Sequence, residues 1–320
     1  MNHIQQVGKK PLTMLMKKLN MLALFIAVAL TGMGQNSSSK DPSNHLDNTL
    51  LWKISGNGLK TPSYLFGTMH ILCASAATLS DSLKQLIKQT DQIYFELDMD
   101  NMGEILGAMK YLRMNDGVKL SELLSAAEYA RVEAYFKAHS TMMPFSMMTR
   151  FKPYFISSMI EEQMMDCEQK NGMEELIMRE SKQYNKEIKG LETMQFQASI
   201  FDSIPYAKQA KDLLNYIDSI DNYKGVSSEM VEVYRLQDLN RMDTLMHKSD
   251  PGMDEYMDLL LYGRNRHWVV QMPDIMKQHS TLFAVGAGHL TGEQGVIMLL
   301  RKKGYKVTPL KNENSITNVQ

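Results

Sequence analysis

Leu282-Phe283-Ala284-Val285-Gly286-Ala287-Gly288-His289-Leu290 is an apolar run with a glycine at its exit and a histidine three residues beyond. Such a run reads as a buried β-strand, and the glycine lets the backbone turn and approach another group closely. Near the other end of the chain, Tyr64-Leu65-Phe66-Gly67-Thr68-Met69-His70 has the same construction. Two such strands side by side in one sheet would aim two imidazoles at one point, which is how a metal or general acid/base site is assembled from distant sequence.

Working outward, strand signals gather at the two ends of the chain and helical signals fill its middle. Leu51-Trp52-Lys53-Ile54-Ser55, the turn Gly56-Asn57-Gly58 and the stretch from Ser63 to Gly67 read as a β-hairpin. Gln92 to Asp98 and Glu187 to Thr193 read as short strands that end in acid. A helix is expected from about Ser80 to Lys88, with Asp81 near its start. Helical spacing runs from about 120 to 180, broken at Met143-Pro144 and Lys152-Pro153, and again from Ile204 to Ile275. The chain closes with strand, helix and strand: Thr281 to Val285, Gly292 to Lys303 and Lys306 to Leu310. The expected fold is α+β (mixed α/β), a central mixed β-sheet flanked by helices with a helical insertion at about 120–180.

Before the first strand, Lys9, Lys10, Lys17 and Lys18 precede the apolar run Met21 to Leu30, and Gly32-Met33-Gly34 supplies small residues before Gln35. This is a secretory signal pattern, too short for a membrane span. The organisation expected is a signal peptide over 1–34, a polar linker over 35–46, a single domain over 47–313 and a tail over 314–320. The protein would then be exported, periplasmic or extracellular, with no membrane span after cleavage. An uncleaved anchor is the alternative.

Composition excludes more than it identifies. With 35 basic and 36 acidic residues the net charge is -1, so nucleic acid is not an expected partner. Two cysteines, Cys73 and Cys167, do not make a disulfide scaffold; export would permit one bridge, and two buried thiols are slightly favoured. The 28 methionines are scattered along helical stretches and suit adaptable core filling better than copper binding.

Strand ends therefore carry His70, Glu96, Glu192 and His289, and ligands of open α/β sheets gather beyond strand ends. Two histidines with one or two carboxylates suit Zn²⁺, Mn²⁺ or Co²⁺ and leave a position for water. Arg264 reads either as a cation that stabilises an oxyanion or as part of a solvated helix face, the reading that also suits Arg266 and His267. Asp98 and Asp100 suit a solvated or capping loop better than ligation.

The segments Leu65 to His70, Phe95-Glu96-Leu97-Asp98, Lys152-Pro153, Gly190-Leu191-Glu192-Thr193, Arg264-Asn265 and Val285 to Gly292, followed by Gly295 and Gly304-Tyr305, occur together in this order. In them the chain resembles the TraB/PrgY/GumN family over nearly all of its length beyond the leader. The resemblance implies a Tiki/erythromycin-esterase-like fold and a metal-dependent peptidase acting on a peptide or protein. It also implies functional roles for His70 and His289 in Gly-x-x-His motifs, as metal ligands, and for Glu96 as ligand or general base. Arg264 is implied too, and Glu192 joins the set as a further ligand or acid. The chain departs from the family pattern at Gly263, where an acidic residue is common, and at Glu174, where an aspartate is common. Two other classes are compatible: a protein that binds a peptide or small ligand without cleaving it, and a metal-independent esterase.

Overall fold

The computed structural model describes residues 45–139, 143–165, 167–249 and 256–313. The expected signal peptide, most of the linker and the tail lie outside the described residues. The chain enters the core at Leu46, 2% exposed, whose backbone N–H and carbonyl are both bound by the Asn240 side chain.

Strands β1 (Leu51–Ser55) and β2 (Ser63–Thr68) form the hairpin, with Leu51 opposite Phe66 and Ile54 opposite Ser63. Its turn places Gly56, Asn57 and Gly58 at φ of 79°, 48° and 81°, a left-handed path that glycine and asparagine tolerate best. A two-residue strand β3 (Leu72–Cys73), helix α1 (Asp81–Gln89) and strand β4 (Gln92–Leu97) follow. Ser80 starts α1 by accepting from the Leu83 backbone N–H, and Leu83, Leu86 and Ile87 form its buried face.

Next come α2 (Met102–Tyr111), α3 (Leu120–Leu123), α4 (Ala126–Ala138), α5 (Phe145–Met148) and α6 (Pro153–Met164). The two sequence breaks are helix starts: Pro144 directly precedes α5, and Pro153 is the first residue of α6, where its missing N–H costs nothing. Strand β5 (Lys170–Asn171), α7 (Met173–Gln183) and β6 (Glu187–Glu192) lead to α8 (Met194–Asp202), α9 (Tyr206–Asp218), α10 (Ile220–Arg235) and α11 (Leu239–Ser249). A π-helical turn, Asp258–Tyr262, runs into α12 (Gly263–Gln278). The order closes with β7 (Thr281–Gly286), a single 3-10 turn Ala287–Leu290, α13 (Val296–Lys302) and β8 (Lys306–Pro309).

The main sheet has the order β6-β4-β7-β2-β1-β8. Its β6, β4, β7 and β2 are mutually parallel, and β1 is antiparallel to both β2 and β8, so the sheet is mixed, as expected. Every residue of β7 is buried, which explains its unbroken apolar run. Helices cover the sheet through residues such as Ile177, Trp268, Val269 and Ile297. Full burial of side chains this size is worth about 1.5–3 kcal/mol each.

The helical region has its own core, and that core reaches past 180. Leu120, Val132, Phe136, Met148 and Ile160 pack with Phe201, Leu213 and Tyr216 from α8 and α9. Helical periodicity shows which face is apolar but not which helix covers it, so the contribution from beyond β6 was not legible. Lys152 joins the two parts: its side chain is buried, and Nζ donates to Ala198 O at 2.7 Å and pairs with Asp202 at 2.8 Å.

The favoured pair of free thiols is corrected. Cys73 and Cys167 are 5.8 Å apart between Cα atoms and form a disulfide, because β3 pairs antiparallel with β5 and brings the two segments together. Among the described residues, no helix is long and apolar enough to cross a membrane.

Candidate active site

Because β2, β7, β4 and β6 run parallel, their carboxyl ends lie along one edge of the sheet. Glu96 is the penultimate residue of β4 and Glu192 the last of β6; His70 lies two residues beyond β2, and His289 sits in the 3-10 turn after β7. Thr68 is opposite Gly286 and Gly67 opposite Val285, so the two glycine exits are adjacent. A Cβ on Gly67 would stand 3.1 Å from Ala287 Cα, so the bare glycine lets the His289 turn cross over β2.

Gly286 marks the centre of the site. A Cβ there would lie 3.2 Å from Glu96 Oε1, 3.6 Å from His289 Cδ2 and 3.9 Å from His70 Nε2. The structure thus places His70, Glu96 and His289 around one small space, and the Gly286 N–H donates to Glu96 Oε1 at 2.8 Å.

Arg264 links the acids. It extends from the first turn of α12, where NH1 donates to Leu260 O in the π-helical turn at 3.1 Å and the guanidinium lies over the Trp268 ring. Nε and NH2 donate to Glu192 Oε2 at 3.0 and 2.9 Å, NH2 also donates to Glu96 Oε2 at 2.6 Å, and NH1 is 3.2 Å from His289 Nε2. Gln197 of α8 donates to both carboxylates, at 3.2 Å to Glu96 and 3.1 Å to Glu192.

The tautomer of His289 follows from its neighbours. The Asn265 amide nitrogen faces two carbonyls, His289 O at 3.3 Å and Gln294 O at 2.9 Å, so its Oδ1 is the atom facing His289 Nδ1, at 2.6 Å. His289 Nδ1 therefore carries the proton, and Nε2 turns its lone pair toward Arg264 and Glu96. His70 Nδ1 lies 2.5 Å from Glu174 Oε1.

Burial and charge divide the titrating groups. Burial alone would raise the Glu96 carboxyl, but Arg264, the two histidines and the Gly286 N–H hold it well below the usual carboxylate range. Burial, with Arg264 alongside, lowers His289 to about 3, so its ring is neutral. Burial would lower His70 too, but the Glu174 carboxylate outweighs it and the net displacement is upward.

With both rings neutral, the carboxylates of Glu96, Glu192 and Glu174 against the Arg264 guanidinium leave a charge of -3 + 1 = -2, which a divalent cation would balance. His289 Nε2 and Glu96 Oε1 are 3.6 Å apart. Two ligands each about 2.1 Å from a tetrahedral metal stand roughly 3.4 Å apart. Among the described residues no three His, Cys, Asp or Glu side chains converge closely enough to hold an ion as they stand, and Arg264 NH1 faces the His289 lone pair. In donor chemistry and charge the residues fit.

Other candidates lie elsewhere. Asp98 accepts from the Asp100 backbone N–H, Asp100 pairs with Lys182, Arg266 pairs with Asp258 at the surface, and His267 stacks on Phe196. Sequence reading gave no role to Gln197, Asn265 or Trp268. Only the segment Arg264-Asn265 carried a hint, since Asn265 follows a residue already under consideration.

A family model described as the TraB/PrgY/gumN family matches residues 50–309. The chain is 23% identical to a "Metalloprotease TIKI homolog" of Amphimedon queenslandica, the match covering 96% of this chain and 69% of that protein. It is 21% identical to "Metalloprotease TIKI2" of Danio rerio, over 81% of this chain and 60% of the relative. It is also 21% identical to "Metalloprotease TIKI1" of Homo sapiens, over 81% and 61%. The chain therefore spans roughly six to seven tenths of the length of these relatives. No solved structure matches it.

Proposed function

Because the chain belongs to the TraB/PrgY/gumN family, we propose that it is an exported metal-dependent hydrolase, and specifically a peptidase acting on a peptide or protein. The observation that carries this reading is that His70, His289 and Glu96 all border the space above Gly286. The metalloprotease names of the relatives support it, and the disulfide supports an oxidising location.

His70 Nε2, His289 Nε2 and Glu96 would hold a divalent transition metal, Mn²⁺, Co²⁺ or Zn²⁺. Such an ion supplies a bound water whose pKa falls from 15.7 to about 7. Glu96, kept deprotonated by its neighbours, would serve either as a ligand or as a general base. Glu192 anchors Arg264 through Nε and NH2 and Leu260 O takes one NH1 hydrogen, so the NH1 hydrogen that faces His289 Nε2 is the one that could turn to negative charge developing on a substrate carbonyl oxygen. The side chains of Glu96, Arg264 and His289 are at most 12% exposed, so these interactions act with little screening by water.

The contact of Arg264 NH1 with His289 Nε2 favours a second reading, in which the guanidinium itself is the working cation and hydrolysis needs no metal. One experiment separates the readings: a mixed peptide library incubated with the purified protein plus Mn²⁺, Co²⁺ or Zn²⁺, with chelator, and with His289→Ala. Cleavage lost both in chelator and in the variant supports the metallopeptidase. Cleavage that survives chelator but not the substitution supports the second reading. Absence of any cleavage by folded protein overturns the peptidase and favours a peptide-binding role.

A further inference from the structure

Glu174 is brought to His70 by a series of constraints that begins well away from it. The Cys73–Cys167 disulfide and the β3–β5 ladder, Leu72 opposite Asn171 and Cys73 opposite Lys170, join the segment after His70 to the segment before Glu174. Gly172 passes so near that a Cβ would stand 2.5 Å from His70 O, a gap no side chain could share. The Met173 N–H then donates to Met69 O at 3.1 Å. Glu174 follows in the first turn of α7, with Oε1 2.5 Å from both His70 Nδ1 and Thr68 Oγ1.

This geometry fixes a proton. A carboxylate oxygen only accepts, and two lone pairs cannot approach to 2.5 Å, so Nδ1 of His70 carries the hydrogen, although at this ring angle that hydrogen is not aligned on Glu174 Oε1. The neutral ring then keeps its lone pair on Nε2, the atom that faces the space above Gly286. Asn265 does the same for His289 through a neutral amide.

We propose that Glu174 is the positioning residue of His70, setting the tautomer and ring direction that present Nε2 to the site. Its consequence for metal binding rests on the metal-dependent reading above; its control of the tautomer does not. The charged partner on one histidine and the neutral partner on the other make the two rings unequal donors, and the more basic Nε2 belongs to His70.

The test uses the full chain with ¹⁵N-labelled histidine at alkaline pH, where the rings are neutral, and His70→Asn to assign the His70 resonances. Long-range ¹H–¹⁵N spectra report the tautomer, and Co²⁺ titration reports affinity. Wild type should show His70 protonated at Nδ1. Glu174→Ala should shift it toward the Nε2–H form that histidine prefers in water and weaken Co²⁺ binding by about 10- to 100-fold. Glu174→Gln keeps an acceptor and should retain the Nδ1–H form with a smaller loss. If Glu174→Ala does not fold, Glu174→Met fills the volume without an acceptor and replaces it. An unchanged tautomer in the folded Ala or Met variant overturns the proposal. If wild type binds no Co²⁺ yet the tautomer shifts as stated, the metal reading fails and the role of Glu174 stands.

Discussion

Removing the Cys73–Cys167 bridge should destabilise the fold by an amount set by the chain it encloses. The two cysteines are separated by 94 residues, a span containing α1, β4 and most of the helical region. Closing a loop of that length removes about 4.7 kcal/mol of denatured-state entropy in the chain-entropy treatment, against the 2–4 kcal/mol typical of measured bridges. A loss of about 3–5 kcal/mol is therefore expected for Cys73→Ser/Cys167→Ser, which lowers the melting temperature by roughly 6–20 °C in a domain of this size. Guanidinium unfolding of oxidised wild type, reduced wild type and the double variant measures it. The reduced protein and the variant should agree, and both should show a larger m-value as the denatured chain expands. A loss below about 1 kcal/mol in both, with m unchanged, would refute the reasoning, since the bridge would then constrain little that the denatured chain leaves open.

Gly286→Ala should leave the melting temperature nearly unchanged, because Glu96 Oε1 at 3.2 Å needs to give only slightly, yet reduce peptide cleavage by at least about 10-fold by filling the space between the two histidines. Lys152→Ala should cost about 3–5 kcal/mol in urea unfolding, since it strips the cation from Asp202 and Ala198 O and also leaves a void, whereas Lys152→Met strips the same cation but keeps the stem and should cost less by the share of the void; a Met variant as stable as wild type would argue against the ion pair. Burial pushes the Glu161 carboxyl in α6 up to about 8, above its value in the unfolded chain. Between those two values the folded state binds the extra proton, so stability falls as pH rises; Glu161→Gln should therefore gain about 1–3 kcal/mol at pH near 8 and nothing at pH near 4, as read by denaturation at each pH.

The strands and the residues at their ends were legible because β7 and β2 carry apolar runs that lead to Gly286 and Gly67. Burial forces such a pattern into a sequence, and it fixed where His70 and His289 fall. Glu96 and Glu192 were legible as acids at the ends of short strand-like segments. What was not legible comes from helices. Gln197 reaches both carboxylates from α8, and nothing in the spacing of Met194–Asp202 distinguishes it from a surface glutamine. Asn265 and Trp268 lie on the buried face of α12, where their neighbours depend on how that helix crosses the sheet. The bridge between Cys73 and Cys167 depends on a two-residue ladder, too short to leave any periodicity. Glu174 stood out only as a departure from a family pattern, although its contact with His70 is as close as any in the site.

The strand at the middle of the sheet is the next to last in the chain. Until Thr281–Gly286 has been synthesised, β4 and β6 have no neighbour that links them to β1 and β2, and the acids and the first histidine belong to two unconnected halves. A nascent or truncated chain ending before that point holds His70, Glu96, Glu192 and Arg264 but no sheet to gather them. On the proposed reading, the site can therefore form only once β7 has been made, and a chain that lacks it lacks the arrangement that hydrolysis would use.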